Sequence, residues 1–428
     1  MLYERWRQVA NDFKNEIALF DLASGERWTF AQLASRTESG DGSEDAIVFP
    51  EGIGPQFIFS VLHAWRSGKI VIPLEEGNFR PLLKELPKGC VHFKFTSHAA
   101  IAPRLVAFRA EQLAADTDNI VATLQLQQDA PNVAVIPLAN PFGFSNLVLP
   151  LLLHGIPLAL TDTALQEMVH HAAEQLQKIT LPAVPALWQK WLDGNVIPKN
   201  IQLAVSATSP LPLKLEQEIF FKCGIKIHNL HCLPECGAIA FDRSDIPRTD
   251  NRLAGERVEN VVLYENENGC LEVGGAAVGE TYWPEPSDKL ELERFVTSDL
   301  AVVRDGNVYL LGDANDQIAV AGQKLSPETI EAALLAHPDV SESLVFGVPD
   351  NVGSGNETIV ACVAIRARIT GEILREFLLK TLPSWKVPRE WWFVNSLQTN
   401  ATKKLSRAEC RERYLKNKSA ADPVWQRR

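Results

Sequence analysis

Apolar positions in the first half of the chain fall into two alternating patterns. Short unbroken runs predict buried strands: Asp45-Ala-Ile-Val-Phe-Pro, Ile70-Val-Ile-Pro, Val133-Ala-Val-Ile-Pro, Pro157-Leu-Ala-Leu and Leu203-Ala-Val-Ser. Between the first two, Phe57, Ile58, Val61, Leu62 and Trp65 recur at helical spacing, and Gly68 closes the segment. Strands that alternate with helices predict a largely parallel sheet with both faces covered.

The pattern changes after about residue 260. Val261-Val-Leu-Tyr, Leu271-Glu-Val, Ala301-Val-Val-Arg and Asn307-Val-Tyr-Leu-Leu are short strand-like runs set off by Asn/Gly turns, which predicts a meander or small barrel over about 260–312. A polar stretch, Gly312-Asp-Ala-Asn-Asp, follows. Beyond it the pattern predicts helix Pro327–Ala336, strands Glu342–Val348 and Ile359–Ile365, helix Glu372–Lys380 and a strand at Trp391-Trp-Phe-Val. The expected fold is therefore α/β. A large N-terminal domain, residues 1–312, has parallel sheets and a small β-barrel portion, and a small mobile α+β C-terminal domain spans 313–428.

Charge narrows the partners. Lys and Arg number 42 against 53 Asp and Glu, a formal net charge of −11, which argues against a nucleic-acid backbone or an anionic membrane surface. The longest apolar stretch, Leu147 to Leu160, is broken by His154, Gly155 and Pro157 and falls short of the roughly 20 residues of a membrane-spanning helix. The first residues lack a signal-peptide core, and the seven Cys are too scattered for a disulfide framework, so the expected location is cytoplasmic. His228, His231, Cys232 and Cys236 cluster, but their spacing does not match a tetrahedral zinc site, and no metal is expected.

Five fragments in register then give the C-terminal third a specific look: Leu325-Ser-Pro-Glu-Thr-Ile-Glu, His337-Pro-Asp-Val, Val345-Phe-Gly-Val-Pro-Asp, Leu382-Pro-Ser-Trp-Lys-Val-Pro and Thr402-Lys-Lys-Leu-Ser-Arg. Together they resemble the mobile domain of the adenylate-forming superfamily, which includes acyl-CoA synthetases, adenylation domains and luciferases. Trp28-Thr-Phe-Ala-Gln-Leu extends the resemblance towards the N-terminus. The resemblance implies that a carboxylate attacks the α-phosphate of MgATP and that a thiol of coenzyme A or phosphopantetheine then takes the acyl group. It places Lys404 as the catalytic lysine that stabilises charge developing between carboxylate and phosphate. Asp299, in Thr297-Ser-Asp, falls where the family holds the ribose hydroxyls, and Glu235 where it places a magnesium-linked glutamate. The acyl pocket is expected around Asn140, Phe142, Gly143, Ser206, Ala207, Thr208, His231 and Cys232.

The same comparison exposes departures. The family's phosphate loop, T-S-G-T-T-G-x-P-K, reads Thr96-Ser-His-Ala-Ala-Ile-Ala-Pro-Arg, so Thr96, Ser97 and Arg104 are the retained or substituted nucleotide contacts. Both glycines are replaced, and Ile101 tolerates a positive φ poorly. The aromatic-Gly-x-Thr-Glu motif reads His231-Cys-Leu-Pro-Glu. At the hinge, the family's Arg is Asp313 and the following pivot position is Asn315. These changes gather on ATP, so the expectation is a divergent acyl-CoA synthetase-like protein. It binds an acyl carboxylate, adenylate or thioester, with ordinary ATP activation weak or lost. Four readings stay open: acyl transfer without ATP, an ATP-dependent ligase for coenzyme A or an acyl carrier protein with an unusual phosphate loop, a non-catalytic scaffold, and simple binding or storage of an acyl ligand. A further expectation makes Cys232 a nucleophile if His231 lowers its thiol pKa.

Overall fold

The computed structural model describes residues 1–39, 45–75, 80–83, 85–96, 104–161, 174–320, 323–350, 356–397 and 407–419. Five parallel strands form the centre of its largest sheet, in the spatial order Leu158–Leu160, Asn132–Ala134, Ile179–Ala183, Ile201–Ser206 and Ile227–Leu233. Helices and loops cover both faces, so these strands are mostly buried, which is why they read as continuous apolar runs.

At Ile227–Leu233 the sheet turns antiparallel and continues through Gly237–Phe241, Leu253–Arg257, Asn307–Asp313, Arg294–Arg304, Cys270–Gly274 and Val262–Glu265. The segment expected as a barrel portion is this extension. Among the described residues its strands do not close: Asn307–Asp313 pairs back onto Leu253–Arg257, so its free edge joins the main sheet, and the path ends open at Val262–Glu265.

A second sheet carries the antiparallel pair His92–Phe95 and Leu105–Phe108. Two hydrogen bonds between Thr96 and Arg104 close the base of that hairpin, with Thr96 N donating to Arg104 O at 2.8 Å and Arg104 N to the Thr96 hydroxyl, Oγ1, at 3.0 Å. The connecting residues that would carry the phosphate loop, including Ser97, lie outside the described residues.

The C-terminal domain is a three-stranded sheet, Val340–Pro349, Glu357–Ile365 and Glu390–Val394, with helices Pro327–Leu335 and Gly371–Leu378 against it. Its core of Ile330, Leu334, Val345, Ala361, Val363 and Leu374 shares no residue with the large core. The helix Arg407–Ser419 closes the other sheet face through Cys410 and Tyr414, which pack with Phe346 and Trp392. Arg407 fastens its start, donating to Val345 O at 2.8 Å and pairing with Glu328, Glu331 and Asp316.

Candidate functional site

A cavity of about 320 Å³ opens beyond the carboxyl ends of Ile201–Ser206 and Ile227–Leu233, where open α/β sheets bind ligands. Six residues chosen from the sequence line it: Asn140, Phe142, Thr208, His231, Cys232 and Asp299. Gly143, Ser206 and Ala207 are buried but do not line it. Thr96, Arg104, Glu235, Asp313 and Asn315 also stand outside the lining, and Lys404 falls outside the described residues.

Local backbone devices set the walls. Asn140 caps the short helix Pro141–Gly143 by accepting from Phe142 N at 3.0 Å, and its amide nitrogen donates to Glu75 at 3.2 Å. A Cβ on Gly143 would lie 2.1 Å from Pro137 O, so only glycine lets the chain approach closely enough to turn Phe142 inward. Thr208 adopts φ +70°, a left-handed conformation that costs a β-branched residue of order 1–3 kcal/mol. On the neighbouring strand, the register shifts between His231 and Cys232. Successive strand residues normally face opposite sides, and the irregularity allows both to reach the cavity.

The polar groups of this wall are committed to one another. His231 Nε2 lies 3.0 Å from Asp299 Oδ2, and both side chains are largely buried. Thr297 Oγ1 accepts from Asp299 N at 3.0 Å, which fixes the strand backbone that presents the carboxylate. Directly opposite Asp299 in the antiparallel register stands Asp313. Its carboxylate accepts from Ser298 Oγ and Asn315 N, both at 2.7 Å, and so holds the turn at the expected hinge.

Burial pushes the Cys232 thiol up to about 12, with the Asp116 carboxylate adding to the rise. The imidazole next to it in sequence is engaged by Asp299, so the cavity does not generate the thiolate that a cysteine nucleophile requires. His228 turns to the Asp242 carbonyl at 2.8 Å and stacks on Phe241. Among the described residues no group of His, Cys, Asp and Glu is arranged to hold a metal ion.

Away from the cavity, the expected nucleotide residues form a chain of their own. Glu235 is buried and accepts from Tyr282 OH at 3.0 Å. The Arg104 guanidinium lies 3.7 Å from the centre of the Tyr282 ring and donates to Glu285 O at 2.7 Å. Burial and the Glu235 carboxylate both raise the Tyr282 phenol well above its ordinary value.

Residues that the sequence reading passed over build the rest of the lining. Lys94 Nζ donates to Asp116 Oδ2 at 3.1 Å and to Ser145 Oγ at 2.8 Å, and the ion pair is 2% and 1% exposed. Arg248 braces two wall segments by donating to the Leu211 and Leu253 carbonyls, both at 2.7 Å, while Glu216 holds its Nε at 2.9 Å. The available signal was a lysine set between two phenylalanines in the strand His92-Phe-Lys-Phe.

Known proteins carry the same architecture. Residues 329–404 match the C-terminal domain family of AMP-binding enzymes. A feruloyl-CoA synthase from Amycolatopsis sp is 26% identical over 319 residues, which cover 69% of this chain and 64% of that protein. The matched part thus spans just under two thirds of that relative. An oxalate–CoA ligase from Arabidopsis thaliana is 26% identical over 356 residues, 76% of this chain and 67% of that protein. The o-succinylbenzoate CoA synthetase from Bacillus subtilis, solved in complex with its acyl-adenylate intermediate, aligns with a TM-score of 0.81 at 17% identity, covering 94% of this chain and 96% of that one. The C-terminal family match, the CoA ligases among the sequence relatives and the shared fold together support a place for this chain in the adenylate-forming superfamily. Among the described residues no helix is long and apolar enough to cross a membrane.

Proposed function

We propose that this chain binds an acyl group in the cavity, as carboxylate, acyl-adenylate or acyl thioester, and takes part in its transfer while using MgATP weakly or not at all. The observation that carries the reading is the engagement of Asp299 by His231. In the superfamily the corresponding aspartate holds the ribose hydroxyls. Here a nucleotide must displace a hydrogen-bond partner and then sit beside Asp313, whose negative charge opposes a polyanion at any effective dielectric.

The cavity itself suits an acyl group. Phe142, Leu211, Leu230 and Leu253 give it apolar walls, and its volume lies at the low end for small-molecule sites. The acceptor on this reading is a thiol, of coenzyme A or of a carrier protein's phosphopantetheine. Lys404 would neutralise charge at the reacting carboxyl, and the domains would divide near residue 312 so that the smaller one moves.

A second reading, an ATP-dependent ligase, draws support from relatives whose names are CoA ligases. It needs a cation to replace the loop's backbone amides, and Arg104 is turned instead onto Tyr282 and Glu285. Pyrophosphate release decides between them. With a broad panel of carboxylic acids, MgATP and coenzyme A, the proposal expects none above background while acyl probes still bind. Acid-dependent pyrophosphate release establishes the ligase, and absence of both acyl binding and turnover leaves a scaffold.

A further inference from the structure

The floor of the cavity is polar, and its hydrogen bonds are incomplete. Lys94, Ser145 and Asn146 line it. A turn of π-helix, Phe144–Val148, carries the last two, and such turns recur at functional sites. Ser145 OH donates to the same Asp116 oxygen that Lys94 holds, at 2.7 Å. Within this cluster charge is balanced, one buried cation against one buried anion.

Two acceptors are left over. Among the described residues, Asp116 Oδ1 and Asn146 Oδ1 are buried and have no hydrogen-bond partner. Asn146 is 5% exposed, and its amide nitrogen donates to Phe142 O at 3.0 Å, which fixes the orientation of the amide. Asp116 Oδ1 is packed against Gly237, where a Cβ would stand 2.0 Å away, so it sits behind this cavity-lining glycine and Asn146 carries the unpaired acceptor that belongs to the lining. Leaving a buried acceptor unpaired is costly, and a ligand that supplies an O–H to Asn146 Oδ1 removes that cost.

We infer that the site selects an acyl group bearing a neutral hydroxyl, over an unsubstituted hydrocarbon of the same shape and over one ending in a second carboxylate. A hydrocarbon leaves the Asn146 acceptor unpaired. A carboxylate brings further acceptors against Asn146 Oδ1 and finds Lys94 already neutralised by Asp116. An ammonium group would sit against Lys94. The inference rests on the acyl reading of the cavity.

Calorimetry on the full chain tests it, with matched triples of coenzyme A thioesters and non-hydrolysable acyl-adenylate analogues. In each triple the acyl groups have equal length and end in hydroxyl, methyl or carboxylate, in aliphatic and aromatic series. We expect the hydroxyl member to bind at least tenfold tighter than its methyl partner in the best-fitting series, with the carboxylate weakest. Asn146→Leu should erase the hydroxyl preference while keeping affinity for the methyl member. Equal or tighter binding of the methyl or carboxylate members by the unaltered chain overturns the inference, whether or not the variant folds. Failure of every member to bind removes the acyl reading itself, and the inference with it, a result distinct from binding without preference.

Discussion

His231 Nε2 and Asp299 Oδ2 stand 3.0 Å apart across the cavity wall, joining the end of the strand Ile227–Leu233 to the middle of Arg294–Arg304. The contact commits the carboxylate that the proposed reading assigns to the family's ribose-binding position. Replacing His231 by Tyr and Asp313 by Arg together restores the family's aromatic and its hinge cation. AMP affinity, measured by calorimetry, should rise at least about tenfold, about 1.4 kcal/mol. An unchanged affinity would show that these two positions do not limit nucleotide binding.

Lys404 lies outside the described residues, and its role comes from its place in Thr402-Lys-Lys-Leu. Lys404→Ala should abolish acyl transfer, by at least about 100-fold if it stabilises developing charge, without changing the melting temperature. Full activity in the variant would remove the residue from the mechanism.

Cys232 should be inert. With its thiol pushed up to about 12 by burial, almost none is thiolate near neutral pH. Peptide mapping after iodoacetamide treatment at pH 7.5 should find Cys232 unmodified in the folded protein, and Cys232→Ser should keep its acyl-transfer rate within about threefold. Rapid alkylation at that site, or loss of transfer in the serine variant, would return it to the list of nucleophiles.

Thr208 carries strain that glycine would release. At φ +70° a threonine is disfavoured, whereas glycine adopts this conformation freely. Because glycine also gains freedom in the unfolded chain, the net gain is smaller than the strain: Thr208→Gly should raise stability by about 1 kcal/mol in urea unfolding. A loss of stability would mean that the side chain contributes more to the cavity wall than its backbone costs.

The C-terminal domain should lose stability as pH rises towards neutrality. Burial pushes the Glu328 carboxyl up to about 7, against the pull of Arg407, which lies 3.0 Å away. A carboxyl raised in the folded state is favoured in its protonated form. Its contribution is therefore full below its ordinary value and is lost as pH rises through about 7. Between pH 5 and 8 the melting temperature should fall, and Glu328→Gln should flatten that fall. An equal slope in the variant would assign the dependence to other groups.

How much of this was legible depends on how far apart the contributing residues lie. The strands Asn132–Ala134, Ile179–Ala183 and Ile201–Ser206 are buried and parallel, and burial on both faces writes itself as continuous apolar sequence. That the meander stays open and joins the main sheet was not legible, because strand periodicity reports which residues are buried and not which edge a strand pairs with. The family-like fragments brought Asn140, Thr208, His231 and Asp299 to one cavity from four separate segments. Lys94 was missed because its partners come from 22 and 51 residues further along, and a single lysine in a short strand reads as a solvent-facing position. The neighbourhood of His231 and Cys232 suggested an activated thiol, yet burial raises that thiol and Asp299 takes the imidazole.

The central claim is that the chain handles acyl groups without ordinary use of ATP. Calorimetric titration of the full chain with MgATP, followed by a non-hydrolysable acyl-adenylate analogue, tests it most directly. The account predicts no heat with MgATP up to millimolar concentration and saturable binding of the analogue, in the range of about −8 to −4 kcal/mol. Micromolar binding of MgATP alone would contradict it and make the altered phosphate loop a working variant.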